Sequence, residues 1–342
     1  MSNEDQGKCW IGFDLGGTKM LSQVFDAKFY PLSRRRAKTN GHEGAAAGLE
    51  RIADLIRSTL DETKLSKGEL GGIGVGCPGP LDLNDGVIIE APNLGWKEVR
   101  IREYLEKAFD CPVIIMNDVD AGVYGEFRFG AARGARCVVG VFPGTGIGGG
   151  CVYEGRVLRG STGSCFEVGH MQIAPDGPLC GCGRRGCLEA VASRLAISSA
   201  AIQAAYRGDA PHLLKEVGMD LSKVRSKALL RSIQAGDKVI EEIIKNAARS
   251  IGIAVGNLVN LLLPDTIVLG GGLVEAMPDL FLENVRKAAA KRVMPSFVNA
   301  YQVVDARLGD EATVMGAAAW ANYSVEHLNA RKNESLTCAP NE

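Results

Sequence analysis

His170, Cys180, Cys182 and Cys187 carry the chemistry that is easiest to name. Their spacing is H-x9-C-x-C-x4-C, and Gly181, Gly183 and Gly186 supply the turns that let the side chains converge. Three thiolates and one imidazole form a closed tetrahedral set that suits zinc and leaves no coordination position open, so such a metal is structural. Incidental cysteines are the competing reading. It loses weight because the chain has 4 histidines and one of them stands just upstream of the cluster. The remaining cysteines, Cys9, Cys77, Cys111, Cys137, Cys151, Cys165 and Cys338, are scattered singly, and Met1–Lys8 is polar rather than a secretion signal, so a disulfide framework is not expected. Glu167 and Glu189 flank the cluster. A metal that stiffens their loop would preorganise both carboxylates as acceptors for a polyol; solvated loop charge is the alternative for either alone.

Two glycine-rich turns point to phosphate. Asp14-Leu15-Gly16-Gly17-Thr18-Lys19 sets a carboxylate at a strand end, glycines whose N–H groups can approach an anion, and Thr and Lys as further donors. It lacks the spacing of a Walker A loop, and an ordinary hairpin turn stays open as a reading. Gly144-Thr145-Gly146-Ile147-Gly148-Gly149-Gly150 contains G-x-G-x-x-G, but between two strands rather than ahead of a helix, so the dinucleotide reading fails its context. A second phosphate-gripping turn fits better. Gly270-Gly271-Gly272 is a third place where backbone could lie flat against a ligand such as a base, or a plain strand-to-helix turn. Asn117-Asp118 stands at a strand-to-helix junction. It reads as an N-cap, or as a polar pair aimed into a cleft with Asp118 as base for a hydroxyl proton.

These residues need a scaffold. Apolar runs predict strands over 10–14, 20–25, 72–77, 87–90, 113–116, 137–142, 151–153, 266–269 and 301–304. Helical spacing covers 45–60, 99–109, the stretch after Asn117-Asp118, 188–206, about 226–234, 238–263, 279–292 and 311–323, with a polar, mobile tail over 324–342. Alternating strands and helices argue for an α/β protein. Each half opens with a strand, a glycine hairpin and a strand, which suggests two α/β domains facing a cleft: 9–130, joined by the helix 311–323, and 131–310, carrying the loop 170–187. A length of 342 residues fits two domains, and 46% hydrophobic with 23% charged residues excludes a mainly disordered chain or a coiled coil. Apolar runs such as Leu258–Leu263 are far too short to span a membrane. A net charge of −1 argues against nucleic acid or anionic membrane as partner. The 43 glycines imply many tight turns or backbone held close to ligands.

In order along the chain, these motifs resemble the ROK family (repressors, open reading frames and kinases), whose sugar kinases belong to the actin-like/hexokinase ATPase superfamily. D-L-G-G-T-K at Asp14 is similar to the family's first phosphate loop and G-T-G-I-G-G-G at Gly144 to its second. G-V-G-C-P-G-P-L-D at Gly74 and A-P-N-L-G-W at Ala91 resemble its sugar-side loops, and N-D-V-D-A at Asn117 the segment with the catalytic Asp. E-V-G-H-M at Glu167 and C-G-C-G-R-R-G-C-L-E at Cys180 resemble the sugar-binding and zinc signature, and L-G-G-G at Leu269 the adenosine side. The resemblance runs from Trp10 to Asn322.

What it implies is a two-domain actin-like ATPase fold (ribonuclease H-like) with a nucleotide and sugar cleft between the domains. The activity implied is a hexose kinase that moves the ATP γ-phosphoryl group to a primary hydroxyl, glucose first; fructose, N-acetylglucosamine, N-acetylmannosamine and allose are alternatives. Asp118 would accept the hydroxyl proton. Asn117, Asp118, Glu167, His170 and Glu189 would bind the sugar, with Gly79 and Asn93 on the same wall. Asp14, Gly16, Gly17, Thr18, Lys19, Gly144, Thr145, Gly146, Gly148, Gly271 and Gly272 would surround ATP, with Mg²⁺ bridging phosphate oxygens near Asp14. Zinc would sit on His170, Cys180, Cys182 and Cys187. A homodimer or homotetramer in the cytoplasm is implied. One position departs: Phe166 stands where the family usually has a small residue, often Gly, before the Glu. Its ring either packs behind the loop or faces the cleft and excludes a 2-acetamido group. The other class of family member, a sugar-sensing transcription factor, carries a helix-turn-helix domain ahead of the kinase fold; here nine residues precede Trp10 and the charge is near zero, which favours the enzyme.

Overall fold

The computed structural model describes residues 7–63, 65, 68–161, 163 and 165–337, the last ten of these by backbone alone. Cys338, the end of the expected tail and most of the polar N-terminal stretch lie outside the described residues. The chain divides into two compact units, 1–130 with 159–165 and 310–342, and 131–158 with 166–309.

The first unit begins with β1 (Cys9–Leu15), β2 (Lys19–Phe25), β3 (Pro31–Lys38), α1 (Ala45–Asp61), β4 (Leu70–Cys77), β5 (Leu81–Asp82), β6 (Val87–Ala91), β7 (Trp96–Val99), α2 (Ile101–Phe109), β8 (Val113–Asn117) and α3 (Asp118–Arg128). Its main sheet has the order β3-β2-β1-β4-β8. β1–β2–β3 are antiparallel neighbours, whereas β1, β4 and β8 run parallel. Register therefore brings their carboxyl ends level: Asp14 pairs with Gly76, and Cys77 with Asn117. The carboxyl edge of such a sheet is where α/β proteins bind ligands.

The second unit contains β9 (Cys137–Pro143), β10 (Ile147–Tyr153), β11 (Arg156–Val157), α4 (Leu188–Ala192), α5 (Arg194–Tyr206), α6 (Pro211–Val217), α7 (Ser226–Gln234), α8 (Lys238–Leu262), β12 (Thr266–Leu269), α9 (Gly272–Ala276), α10 (Pro278–Ala290) and β13 (Gln302–Asp305). Its sheet order, β11-β10-β9-β12-β13, repeats that of the first unit strand for strand. The duplicated layout inferred from the two glycine hairpins is thus present in the topology.

The chain then returns to the first unit through α11 (Ala312–Thr337). This helix runs well past residue 323, so 324–337 continue a helix where a polar tail was expected. Strand alternation decides what α11 covers. Ile11 and Phe13 join the core under α1 with Ile52, Ile56, Ile73 and Val75, while Trp10, Leu21 and Phe25 face the other way, onto Val314, Ala318 and Ala321. Each such fully buried aliphatic or aromatic side chain stabilises the fold by about 1.5–3 kcal/mol. α11 lies unusually close because glycines leave room. A Cβ on Gly12 would stand 1.9 Å from the Val314 carbonyl oxygen, and one on Gly316 1.7 Å from that of Ala121 in α3. The helix that begins at Asp118 is therefore clamped by α11, and Thr313 Oγ1 donates to the Asp118 carbonyl at 3.3 Å.

Three local expectations change. The glycine turn at 144–150 closes by Gly146, because Ile147–Tyr153 pairs fully with β9 despite three glycines. The single helix over 188–206 is broken at Ser193, which is extended (ψ 162°) and caps α5 by accepting from the Ala196 N–H at 3.2 Å. β3, with Arg34-Arg35-Arg36, is a largely exposed edge strand that apolar periodicity does not reveal. Among the described residues no helix is long and apolar enough to cross a membrane.

Candidate functional site

In the first unit the carboxyl edge of the sheet gathers most of the expected residues. The turn after β1 is closed by the Gly16 N–H donating to the Lys19 carbonyl at 3.1 Å. Thr39 buttresses it from outside: its hydroxyl donates to the Gly16 carbonyl at 2.7 Å and its N–H to that of Thr18 at 3.0 Å. Gly17 faces Asn93, whose Cβ would lie 3.3 Å from a Cβ on the glycine, so Asn93 stands beside the first glycine hairpin. Gly79 lies next to Asn117, 3.8 Å from a notional Cβ to the side-chain amide nitrogen.

Of the two roles open to this pair, the N-cap falls to Asn117. Asn117 caps α3, its Oδ1 accepting from the N–H groups of Val119 and Asp120 at 2.9 and 3.2 Å. Asp118 accepts from the Val119 N–H through Oδ1 at 2.9 Å. Burial pushes the Asp118 carboxyl up to about 6, against the pull of those backbone donors. Asp14 is pushed up to about 7 by burial first and then by the charge of Asp118, with Lys19 pulling it back. A carboxylate held near 6 is still ionised at neutral pH yet is a stronger proton acceptor than a solvated one.

The second unit builds its counterpart from different parts. Its hairpin is closed by the Gly144 N–H on the Gly146 carbonyl at 2.8 Å. Arg194, at the start of α5, holds it twice: its N–H donates to the Gly144 carbonyl at 2.9 Å and its guanidinium to Thr145 Oγ1 at 2.6 Å. Glu189 Oε2 accepts from the Ile147 N–H at 3.0 Å, and a Cβ on Gly146 would collide with that carboxylate at 2.2 Å. Gly271, with φ 86°, rests against the Pro143 carbonyl, so the third glycine run meets the second hairpin; Gly272 lies beside Ser226 instead.

The donor atoms of His170, Cys180, Cys182 and Cys187 all lie within 4.8 Å of one another. Cys180 Sγ is 3.7 Å from His170 Nδ1, and Cys182 Sγ is 3.7 Å from Cys187 Sγ. Zinc at about 2.3 Å from each sulfur spans S–S edges of about 3.8 Å in a tetrahedron, so the set fits the ion. Nδ1 faces the cluster, which leaves Nε2 directed elsewhere. Gly186 is what lets the loop fold back: its φ is 73°, and a Cβ there would meet the Ala174 carbonyl. Cys180 Sγ is also 3.8 Å from Glu189 Oε1, so one carboxylate joins the cluster to the hairpin. Glu167 precedes the 3-10 turn Val168–His170 and its carbonyl accepts from the His170 N–H at 2.9 Å.

Phe166 packs against the core of the second unit. Its φ of 64° is a left-handed conformation that favours glycine, which gives the family's small residue at this position a physical reason. Thr39, Arg194 and the pair Arg36–Asp310 carry no motif in the sequence; only the tertiary contacts bring them to the hairpins.

A glucokinase of Halalkalibacterium halodurans is 31% identical over 330 residues, 95% of this chain and 98% of that protein. The ROK hexokinase of Thermus thermophilus superposes with a TM-score of 0.78 at 37% identity, covering 93% of this chain and 99% of that one. A ROK glucokinase of Streptomyces griseus, solved with glucose and AMPPNP, gives a TM-score of 0.78 at 30% identity over 92% and 99% of the two chains. Regulators are among the relatives as well: a xylose repressor of Bacillus spizizenii is 30% identical over 277 residues, 81% of this chain and 67% of the repressor. The ROK family itself matches residues 10–324, so the chain belongs to the ROK family, with the two-domain actin-like ATPase fold of its sugar kinases.

Proposed function

We propose that this protein is an ATP-dependent hexose kinase that phosphorylates the primary 6-hydroxyl, with glucose as first substrate. The observation that carries the reading is Asp118: a half-buried carboxylate, raised to about 6 by desolvation, at the carboxyl edge of the sheet beside the glycine hairpin. Asp118 accepts the proton as the hydroxyl attacks. Asn117, Gly79 and Asn93 on the first unit, and Glu167, His170 through Nε2 and Glu189 on the second, bind and orient sugar hydroxyls. The hairpins Gly16–Lys19 and Gly144–Gly148 align the phosphates through backbone N–H groups, with Asp14 as the residue that would hold Mg²⁺, and Gly271 and Gly272 line the adenosine side. Phosphoryl transfer depends mainly on such alignment and charge neutralisation.

The donor set His170, Cys180, Cys182 and Cys187 would hold one structural zinc, which supplies stiffness to the loop carrying Glu167 and Glu189. We further propose a homodimer or homotetramer in the cytoplasm. The decisive experiment is a coupled assay of ADP release over a panel of hexoses. Glucose-dependent turnover supports the kinase. Hexose binding with no turnover favours a regulator, the reading to which the repressor relative lends weight; the presence of Asp118 and both hairpins favours the enzyme.

A further inference from the structure

The α11 face of the first sheet carries a row of charge that runs beyond the residues of the proposed mechanism, from Asp14 and Lys19 to Arg36 and Asp310. By strand alternation, Asp14 and Lys19 lie on this face with Leu21. On β3, Arg36 pairs with Leu21 and Lys38 with Lys19, while Arg35 belongs to the other face and binds Glu62 near the end of α1. Lys19 Nζ and Arg36 Nη2 both donate to a single oxygen, Oδ2 of Asp310, at 3.2 and 2.9 Å. The neighbouring Arg34 is matched by Glu311 at 2.8 Å. Lys19 and Arg36 are therefore two cations sharing one carboxylate, at the end of β2 that leaves the first hairpin, with Lys38 on the same face opposite Lys19.

We propose that Arg36 is a nucleotide-binding residue and that Asp310 is its internal competitor: without nucleotide, one Asp310 oxygen holds the place between Lys19 and Arg36 that a phosphate oxygen takes when ATP enters. The inference rests on the reading of Gly16–Lys19 as a phosphate hairpin. Two observations support an exchange over a fixed structural link. Side-chain exposure is 60% for Lys19, 42% for Arg36 and 57% for Asp310, and ion pairs so open to water are weak enough to be displaced. The geometry, two donors on one oxygen, is that of cations gripping a phosphoryl oxygen, for which Arg and Lys are the usual partners. Asp14 feels Lys19, Asp310 and Arg36 alike, so the trio lies within electrostatic reach of the hairpin's own carboxylate.

The test is the affinity for Mg²⁺–AMPPNP, measured by calorimetry on the full chain without sugar. Arg36→Ala should weaken binding about 10-fold, the scale of a lost charge-assisted contact, and Arg36→Lys should restore part of it. Asp310→Asn should tighten binding about 3-fold, because an exposed competitor is removed. Arg35→Ala, one residue away on the opposite face, should change nothing. Gly17→Val separates the two levels of the reading. If it abolishes binding while Arg36→Ala binds like the wild type, the hairpin stands and this inference falls; if it too binds normally, the hairpin reading itself falls. Weaker binding in Asp310→Asn would show that Asp310 orders Arg36 rather than competes for it, and would overturn the proposal.

Discussion

The two glycine hairpins sit at equivalent points of sheets with the same strand order, yet they are supported in opposite ways. The first is flanked by charge: Asp14 and Asp118 inside, Lys19, Arg36 and Asp310 outside. Its third strand, β3, is 8 residues long and supplies Arg36. The second is held from outside by one cation, Arg194, and one carboxylate, Glu189. Arg194 binds its carbonyl and hydroxyl, Glu189 its following N–H, and Glu189 in turn touches the cysteine cluster. There the third strand, β11, is only 2 residues long, and the chain leaves for 159–165 in the first unit, where the Arg159 guanidinium stands 5.0 Å over the Trp320 ring. A duplicated scaffold fixes where a hairpin goes; what surrounds it decides whether that side handles protons and charge or rigid positioning.

The sharpest break in the comparison is Asp118→Asn. Removing the base should lower kcat by about 10²-fold or more while hexose binding is retained, the usual scale for acid–base groups. The same change should raise the melting temperature at neutral pH. A carboxyl raised from 3.8 to about 6 favours its neutral form in the fold, so its contribution is favourable below 3.8 and is lost as pH rises through 6. The stability gap between variant and wild type should therefore close in acid. On the other unit, Cys182→Ser should release the metal and lower activity about 10- to 100-fold, mainly through KM for the hexose, because the loop carrying Glu167 and Glu189 loses its clamp. Elemental analysis giving no metal in a fully active wild type would remove that role.

Smaller effects sharpen the contrast. A Cβ on Gly144 meets nothing nearer than the Gly146 carbonyl oxygen at 3.9 Å, so Gly144→Val should raise KM for ATP with little change for hexose. Gly146→Val must push Glu189 aside and should raise both. Equal behaviour of the two variants would mean that Glu189 does not brace the hairpin. Phe166→Gly should leave the ratio of kcat/KM for glucose and N-acetylglucosamine unchanged, because the ring packs into the core; a ratio that moves toward the acetamido sugar would place it against the substrate.

Much of this contrast could be read from residue order. Glycines, Asp14, Asn117-Asp118 and the Cys/His spacing are local signals, because turns, caps and metal loops draw their ligands from short stretches of chain. β3 escaped because an edge strand open to water needs no apolar alternation, and Arg34, Arg35 and Arg36 look like solvated charge. The break at Ser193 escaped because apolar residues continue on both sides of it. Asn93 beside Gly17, Glu189 against Gly146 and Asp310 between Lys19 and Arg36 depend on contacts between residues far apart in the chain. No spacing rule covers such pairs; they follow from strand register and from where α4 and α11 land on the sheets.

The most direct test of the account is glucose-dependent ADP release followed across pH in the wild type and in Asp118→Asn. The wild type should turn over with a kcat/KM that falls away below about pH 6 as Asp118 takes up its proton, and the variant should bind glucose, keep only residual turnover and lack that acid limb. Wild-type protein that binds glucose without releasing ADP, or a variant with wild-type turnover and the same acid limb, would contradict it.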